Sequence, residues 1–279
     1  MKTQKVLGGI DFGEGPRWHG GRLWFSDFHQ LVIRAVAADG SVEEIITVPG
    51  RPSGLGWLPD GRLLVVSMSD RKLLRREAGG LVEHADLSGI ASGPCNDMVV
   101  SASGHAYVGN FGGDLFGGAD PKPAKLALVH PEGRVEVAAE ELHFPNGSVI
   151  TPDGRTLVVG ETRAARYSAF DIGEDGRLDN RRVWAEVPGR RPDGCCLDEA
   201  GGIWFADASA PECLRVEEGG RITDRIETDQ PCFACMLGGD DGRTLYILTA
   251  PGYLPDDVAG RGLGCLEAVR VTHPHAGLP

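Results

Sequence analysis

The chain lacks long apolar runs and an excess of positive charge. None of its 279 residues fall in an apolar stretch long enough to span a bilayer, and residues 1–15 lack the apolar core of a signal peptide. The formal net charge is −12 and the isoelectric point is about 5.1. This balance argues against nucleic acid or an anionic membrane as a partner. We therefore expect an acidic, soluble, cytoplasmic protein, and the sequence leaves its oligomeric state open.

Cysteine pairs of the kind that form disulfides or zinc sites are also lacking. The seven cysteines are odd in number and lie mostly within apolar runs. Cys232 and Cys235 form a single C-x-x-C with no second pair at zinc-finger spacing. Because an unpaired cysteine behaves as a small hydrophobic residue, we expect these side chains to pack in the core of a protein from a reducing compartment.

Several familiar catalytic and structural signals are missing. The sequence has no G-x-S-x-G elbow, no G-x-G-x-x-G after a strand, no Walker loop and no H-E-x-x-H. Its eight histidines show no metal-ligand spacing. No amphipathic helical pattern of ten or more residues stands out, while 41 glycines and 18 prolines are spread throughout. This composition indicates many tight turns between short strands.

A turn glycine followed by a short apolar run recurs six times. The glycines are Gly21, Gly61, Gly104, Gly154, Gly201 and Gly242, at intervals of 40, 43, 50, 47 and 41 residues. A propeller blade repeats at roughly 40–50 residues. The copies also contain a second hairpin-like half, for example residues 72–75 before Gly79, which gives four strands per copy. We predict an all-β fold: a single six-bladed β-propeller domain over residues 1–279, with four-stranded blades, in which residues 4–10 and 265–271 share a blade and close the ring.

The repeat also predicts a ring of equivalent residues around the propeller axis. Counting back eight residues from each glycine, or seven in the first copy, gives Glu14, Ser53, Asn96, Asn146, Asp193 and Ala234. Two carboxylates and two amide oxygens meeting in a narrow channel would repel each other or stay unsatisfied without a cation. Their two negative charges match one divalent ion, and all-oxygen ligands favour Ca²⁺, Mg²⁺ or Mn²⁺ over Zn²⁺. The alternative is that these residues serve turn chemistry before a glycine.

Several short motifs resemble the senescence marker protein / gluconolactonase / luciferin-regenerating enzyme family. They are Gly13-Glu14-Gly15-Pro16-Arg17-Trp18, Asn96-Asp97, Phe144-Pro145-Asn146-Gly147 with Thr151-Pro152-Asp153-Gly154, Pro192-Asp193-Gly194, and Cys235-Met236-Leu237-Gly238-Gly239 with Thr244-Leu245-Tyr246. The resemblance covers nearly the whole chain. Each motif alone is weak, but together they are specific. The resemblance implies a six-bladed propeller with one catalytic divalent metal ion in its central channel.

The resemblance also implies roles for individual residues. Glu14, Asn146 and Asp193 match the metal ligands of the family, and Asn96 matches an asparagine beside both the metal and the substrate. Asp193 further matches the proposed acid/base. Asp114 aligns with an acidic substrate contact found in some members. The ion implied is Ca²⁺ first, with Mg²⁺, Mn²⁺ and Zn²⁺ as alternatives.

One departure from the family concerns the substrate. Sugar-lactonase members carry an arginine two residues before the Asn96 position, where this chain has Pro94. The missing cation puts recognition of aldonolactones in doubt. The apolar side chains of Phe111, Leu115 and Phe116 favour a less polar substrate.

Two loops are candidates for a lid over one end of the channel. Residues 109–118 are glycine-rich and partly apolar, and residues 251–264 form a second long connection. A surface loop with no lid function is the alternative for the first.

The function predicted from these observations is that of a metal-dependent hydrolase, a lactonase that opens a small lactone or ester. Asp193 would act as the base, directly or through a metal-bound water. Two alternatives stay open at this point. One is a phosphotriester hydrolase using the same metal site, and the other is a non-catalytic ligand-binding propeller whose ion is structural.

Overall fold

The fold is a ring of six antiparallel sheets, described here by a computed structural model over residues 2–114, 117–120 and 122–279. In four sheets the strands pair in chain order, so these blades are meanders, and in the other two a strand from one end of the chain joins a meander. The predicted six-bladed β-propeller with four-stranded blades is confirmed.

The strands follow one another in blade order. The chain starts in β1 (Gln4–Ile10), and blades 1 to 3 follow as β2 (Gly13–His19), β3 (Arg22–Asp27), β4 (Val32–Ala37) and β5 (Val42–Thr47); β6 (Pro52–Trp57), β7 (Leu63–Ser67), β8 (Lys72–Glu77) and β9 (Gly80–Asp86); and β10 (Cys95–Val100), β11 (Ala106–Asn110), β12 (Ala124–Val129) and β13 (Val135–Leu142). Blades 4 to 6 are β14 (Pro145–Ile150), β15 (Thr156–Glu161), β16 (Arg166–Ile172) and β17 (Leu178–Glu186); β18 (Pro192–Asp198), β19 (Ile203–Asp207), β20 (Glu212–Val216) and β21 (Ile222–Glu227); and β22 (Cys232–Gly238), β23 (Thr244–Thr249) and β24 (Gly264–Arg270). Helix α1 (Pro255–Val258) lies between β23 and β24, and β25 (His275–Ala276) adds a fifth strand to the inner edge of blade 5.

The two ends of the chain close the ring. Strand β1 pairs antiparallel with β24, from Gln4 opposite Ala268 to Ile10 opposite Gly264, and supplies the outermost strand of blade 6. The two end segments therefore share a blade, as predicted. Because β1 precedes blade 1 directly, this pairing ties the first blade to the last.

The turn glycines have the backbone conformation that the repeat predicted. All six have φ between 70° and 88°. Residues with a Cβ rarely adopt this region, so glycine fits the tight turn between the first two strands of each blade. The repeat in the sequence is thus a repeat of one turn geometry.

The innermost strand of each blade carries a β-bulge near its start. In blade 5, Pro192 pairs with Asp207 and Cys195 with Phe205, so three steps along β18 match two along β19. The other five inner strands also gain one residue on their partners near the same point. A bulge bends the strand and redirects the side chains in it. In each inner strand, the bulge lies at or next to the residue predicted for the polar ring.

Apolar residues from neighbouring blades pack into several buried clusters. Six of the seven cysteines are buried in them and none is in a disulfide, as expected from their positions in apolar runs. Burial raises the pKa of the Cys95 thiol to about 12, which keeps it protonated and unreactive. Among the described residues, no helix has the length and apolar character needed to cross a membrane.

Close contact between inner strands leads to a prediction for Gly147→Ala. A Cβ at Gly147 would lie 2.3 Å from the Asp193 carbonyl oxygen and 2.7 Å from the Cys195 nitrogen. Since both contacts are with backbone, we expect a loss of about 1–3 kcal/mol and a melting temperature lowered by several degrees, measured by calorimetry. The control is Gly79→Ala, where a Cβ meets nothing within 4 Å. Equal melting temperatures for the two variants would contradict the prediction.

Candidate functional site

Four predicted ring residues meet in one cavity at the axis. Glu14, Asn96, Asn146 and Asp193 are the second residues of β2, β10, β14 and β18 and line a cavity of about 610 Å³. All four side chains are buried. The structure therefore brings together two carboxylates and two carboxamides from four blades, as the repeat predicted. Their roles in binding and catalysis stay predictions.

The other two ring positions differ from the four. Ser53 is buried at the second position of β6 but does not line the cavity. In blade 6 the count gave Ala234, but Phe233 lines the cavity instead. That assignment was wrong by one residue because regular pairing in β22 continues to Ala234, opposite Leu248, so the bulge begins farther from the turn than in blade 5 and holds Phe233.

Asp114, the predicted substrate contact, lies apart from this cavity. Its side chain is exposed, and its Oδ1 accepts a hydrogen bond from the Gly117 amide at 2.9 Å within its own loop. Its role in substrate binding stays a prediction. Two residues of the candidate lid at 109–118, Leu115 and Phe116, lie outside the described residues.

One acidic residue of the channel, Asp97, has an ion-pair partner, the buried Arg17, whereas Glu14 and Asp193 have none in the described chain. The Arg17 guanidinium donates to Asp97 Oδ1 at 2.6 Å and to the Leu55 carbonyl at 3.0 Å, so Asp97 has an internal counter-ion. No such ion pair is formed by Glu14 or Asp193 with the described part of the chain. Within the described residues, the hydrogen bond that Glu14 accepts comes from the neighbouring Gly15 amide, at 3.2 Å.

The uncompensated carboxylates repel each other in a medium that solvates them poorly. Burial raises the pKa of Glu14 well above its ordinary value, and the charge of Asp193 raises it further. Burial raises the pKa of Asp193 in the same way, followed by the charge of Asp97. Both carboxyl groups therefore favour protonation unless a cation balances them.

Polar atoms at the axis are left without hydrogen-bond partners inside the described protein. Asn146 Oδ1 and Asp193 Oδ1 are buried acceptors with none, and Asn96 Nδ2 is a buried donor with none. An unpaired buried polar atom costs about 1–3 kcal/mol, so a cluster of three points to a ligand.

Thr162 fixes the direction of the Asn146 amide. Asn146 Nδ2 donates to Thr162 Oγ1 at 3.2 Å, and Thr162 Oγ1 donates to the Pro192 carbonyl at 2.7 Å. Since the amide nitrogen is held on this side, Oδ1 is left as the unpaired atom of the amide. Sequence reasoning missed Thr162 because it follows the second strand of blade 4 and not the inner strand.

The donor set fits a hard divalent cation. Within the described ranges, no group of three or more His, Cys, Asp or Glu side chains could hold a metal ion. A cation at the axis therefore needs carboxamide oxygen beside the carboxylates of Glu14 and Asp193, and Asn146 Oδ1 supplies it. Oxygen-only ligands suit Ca²⁺ or Mg²⁺, while Zn²⁺ favours nitrogen and sulfur.

The rest of the cavity wall was not predicted as a unit. Six aromatic side chains form part of it: Phe12, Phe28, Phe111, Phe144, Phe233 and Tyr253. Phe12 contacts Phe28 and Phe233, with ring centroids 4.6 and 4.7 Å apart. Three arginines line the same cavity, Arg163, Arg190 and Arg191. Phe12, Phe144 and Arg191 each stand two residues before a ring residue, a spacing from which they could have been found.

A six-bladed propeller with a buried, oxygen-rich site at its axis defines the class of this protein, and the comparisons name the family. Residues 12–251 match the model of the SMP-30/Gluconolactonase/LRE-like region. The chain belongs to this family.

The chain is similar to several named proteins over nearly its whole length. It is 31% identical to 6-deoxy-6-sulfogluconolactonase of Pseudomonas putida, over 96% of this chain and 94% of that one. It is 27% identical to a pentonolactonase of Haloferax volcanii, over 93% and 88%. The structure of regucalcin, a calcium-binding protein from Agrobacterium tumefaciens, shares the fold with a TM-score of 0.80 at 21% identity, over 99% and 97%.

The family and the names of these relatives support lactone hydrolysis by a hydrolase. They do not support phosphotriester cleavage or a non-catalytic propeller, the two alternatives left open by the sequence.

The repulsion at the axis leads to a prediction for Glu14→Gln. In the presence of a chelator, we expect this variant to melt about 2–4 °C higher than the wild type, because it removes one of two buried like charges. Scanning calorimetry measures the shift. The control is Glu218→Gln, an exposed residue without an ion pair in the described structure, which should leave the melting temperature unchanged. An unchanged or lower value for Glu14→Gln would refute the repulsion.

Proposed function

We propose that this protein is a divalent-metal-dependent lactonase that opens a small lactone to its hydroxy acid. The observation that carries the proposal is the pair of buried, unpaired oxygens, Asn146 Oδ1 and Asp193 Oδ1, beside Glu14 in the axial cavity. Two relatives are named as sugar lactonases, which supports cleavage of a lactone ester bond. The structural relative is named as a calcium-binding protein, which supports a divalent ion.

Glu14, Asn146 and Asp193 would hold the ion, with Asn96 beside it. Ca²⁺ is the first expectation because every donor is oxygen, and Mg²⁺, Mn²⁺ or Zn²⁺ are alternatives. When bound, such an ion supplies a Lewis acid that polarises the lactone carbonyl and stabilises the developing oxyanion. Its two positive charges would balance the two carboxylates that lack a counter-ion.

Asp193 is the proposed base. Its unpaired Oδ1 lines the cavity and can accept the proton of the attacking water. The bulge in β18 fixes its backbone, and the position of the carboxylate does not depend on a mobile loop. A rigid base of this kind places the water without an ordering cost during the reaction.

Asn96 and the aromatic wall would position the substrate. Asn96 Nδ2, a buried donor without a partner, can donate to a substrate oxygen. The aromatic side chains give the ring of a lactone an apolar surface. A cavity of about 610 Å³ is in the size range of small-molecule sites.

The role of Asp193 is tested by Asp193→Asn. We expect kcat for lactone opening to fall about 10²- to 10⁴-fold, because the near-isosteric amide cannot accept the proton. The assay follows acid release from glucono-δ-lactone in the presence of Ca²⁺, with circular dichroism to verify folding. The control is Asp153→Asn, a change in an exposed turn that should keep the wild-type rate. Near-normal turnover by Asp193→Asn would eliminate the assignment.

The support of Asn146 by Thr162 is tested by Thr162→Val. The variant keeps the side-chain shape but removes the hydroxyl that holds Asn146 Nδ2, so we expect affinity for Ca²⁺ to fall about 10- to 100-fold. Titration calorimetry measures this without reference to activity. Thr228→Val is the matched control, because Thr228 Oγ1 also donates to a backbone carbonyl, that of Gln230 at 2.9 Å, but does not line the cavity. Equal Ca²⁺ affinities in the two variants would show that Thr162 has no such role.

A further inference from the structure

The cavity has a basic side, formed by Arg163, Arg190 and Arg191 from blade 4 and the entry to blade 5. Arg190 has acidic partners: its guanidinium pairs with Asp207 at 3.3 Å and also with Glu212. It therefore serves the structure of blade 5. Arg163 and Arg191, in contrast, have no acidic partner among the described residues.

Arg191 has no counter-ion within the described part of the chain. Oδ1 of the neighbouring Asp207 accepts from the Arg191 backbone amide at 3.1 Å and from the amide and hydroxyl of Ser209 at 3.0 and 2.6 Å. The other oxygen of Asp207 faces Arg190. The Asp207 carboxylate is thus already used, and the exposed Arg191 guanidinium is left to the cavity.

Arg163, on blade 4, likewise lacks an acidic partner among the described residues. Glu161, two residues before it, accepts from Arg166, Arg181, Ser168 and the His143 amide at 2.6 to 3.2 Å. No acidic side chain of the described ranges pairs with Arg163, which is exposed and lines the cavity.

One hydrogen bond joins the two backbone segments that carry Arg163 and Arg191. Thr162 Oγ1 donates to the Pro192 carbonyl at 2.7 Å, joining blades 4 and 5. Arg163 follows Thr162 and Arg191 precedes Pro192 in the sequence. The same threonine holds Asn146, so the backbone from which both arginine side chains extend is tied to the polar atoms at the axis.

Charge then points to the kind of ligand. Glu14 and Asp193 are the acidic residues that line the cavity, and one divalent ion would balance both. Arg163 and Arg191 would remain as two uncompensated positive charges. Guanidinium groups bind carboxylate, sulfonate and phosphate oxygens through paired, charge-assisted hydrogen bonds. The aromatic residues elsewhere in the wall offer no such partners for an anion.

We propose that Arg163 and Arg191 form an anion subsite, and that the substrate is a lactone carrying a negatively charged substituent. The lactone lies at the axis, with its anionic group towards blades 4 and 5. Arg191 precedes Asp193 by two residues, as Pro94 precedes Asn96, so blade 5 supplies a cation at the position where blade 3 has none. This inference rests on the proposed lactonase function and specifies its substrate class.

The experiment compares three lactones of similar size: neutral glucono-δ-lactone, a carboxylated aldonolactone and a sulfonated aldonolactone. The readout is the ratio of kcat/KM for each charged lactone to that for the neutral one. We expect the wild type to prefer a charged lactone at least about tenfold, and Arg163→Gln or Arg191→Gln to lower the ratio about 10- to 100-fold. Arg191→Lys, which keeps the charge, should restore part of it. The two charged lactones distinguish a carboxylate from a sulfonate subsite.

Arg155→Gln is the matched control. Arg155 is exposed and precedes β15, whereas Arg163 follows the other end of the same strand. Arg163 lines the cavity and Arg155 does not. The control should leave the ratio unchanged while removing the same charge. A wild type that opens the neutral lactone but shows no preference for a charged one, or a ratio unaffected by both arginine variants, would overturn the subsite and leave the lactonase function standing.

The subsite can also be judged if no lactone is opened, a result that would count against the proposed function. Titration calorimetry with the open-chain sulfonated and carboxylated acids measures binding alone, in Ca²⁺-loaded protein. Affinity weakened at least about tenfold in Arg163→Gln and Arg191→Gln, but not in Arg155→Gln, supports the subsite. Equal affinities in all three variants overturn it.

Discussion

The structure depends on how buried negative charge is balanced along the axis. Three carboxylates from three blades come close in the channel, and one arginine, Arg17, reaches one of them, Asp97, at 2.6 Å. Glu14 and Asp193 are left without an ion-pair partner in the described chain; burial raises the pKa of Glu14, and the charge of Asp193 raises it further. A fold that keeps such a pair buried retains an unfavourable term when nothing is bound, and a divalent cation would convert it into a favourable one. The axial site is therefore the place where stability and the proposed chemistry meet.

The bulge at the start of each inner strand makes this concentration of polar atoms geometrically feasible. Regular strands around a propeller axis would hold their side chains in register with the neighbouring strand of the same blade. One extra residue breaks that register at the point where Asp193 and Asn146 lie. The glycine after each of these residues lets the neighbouring inner strand approach: a Cβ at Gly194 would lie 2.6 Å from that of Ala234. Close packing and the polar ring thus come from the same few residues.

The sequence predicted the parts of this structure that repeat. The turn glycines have a fixed backbone requirement, so their spacing indicated six blades and located Glu14, Asn96, Asn146 and Asp193 correctly at the axis. The spacing failed in blade 6, where the bulge begins farther from the turn and holds Phe233 in place of Ala234, because the point at which a bulge begins has no signature in composition. Thr162 and most of the aromatic wall lie in connections outside the turn and inner-strand pattern from which the repeat was counted. Spacing could have located Phe12 and Phe144, but what the wall contributes depends on how neighbouring blades pack.

The rim of the cavity shows why the chemistry is easier to predict than the substrate. Phe144 and Arg191 both stand two residues before a ring residue, yet φ is 63° at Phe144, while Arg191 is not among the residues with positive φ. Equivalent positions therefore send their side chains along different paths. At the ring, the bulge and the glycine contacts constrain the backbone more closely. A propeller of this kind can keep one arrangement of oxygen ligands at its axis while the charge at its mouth is redistributed, here from the Pro94 position of blade 3 to Arg163 and Arg191 beside blades 4 and 5.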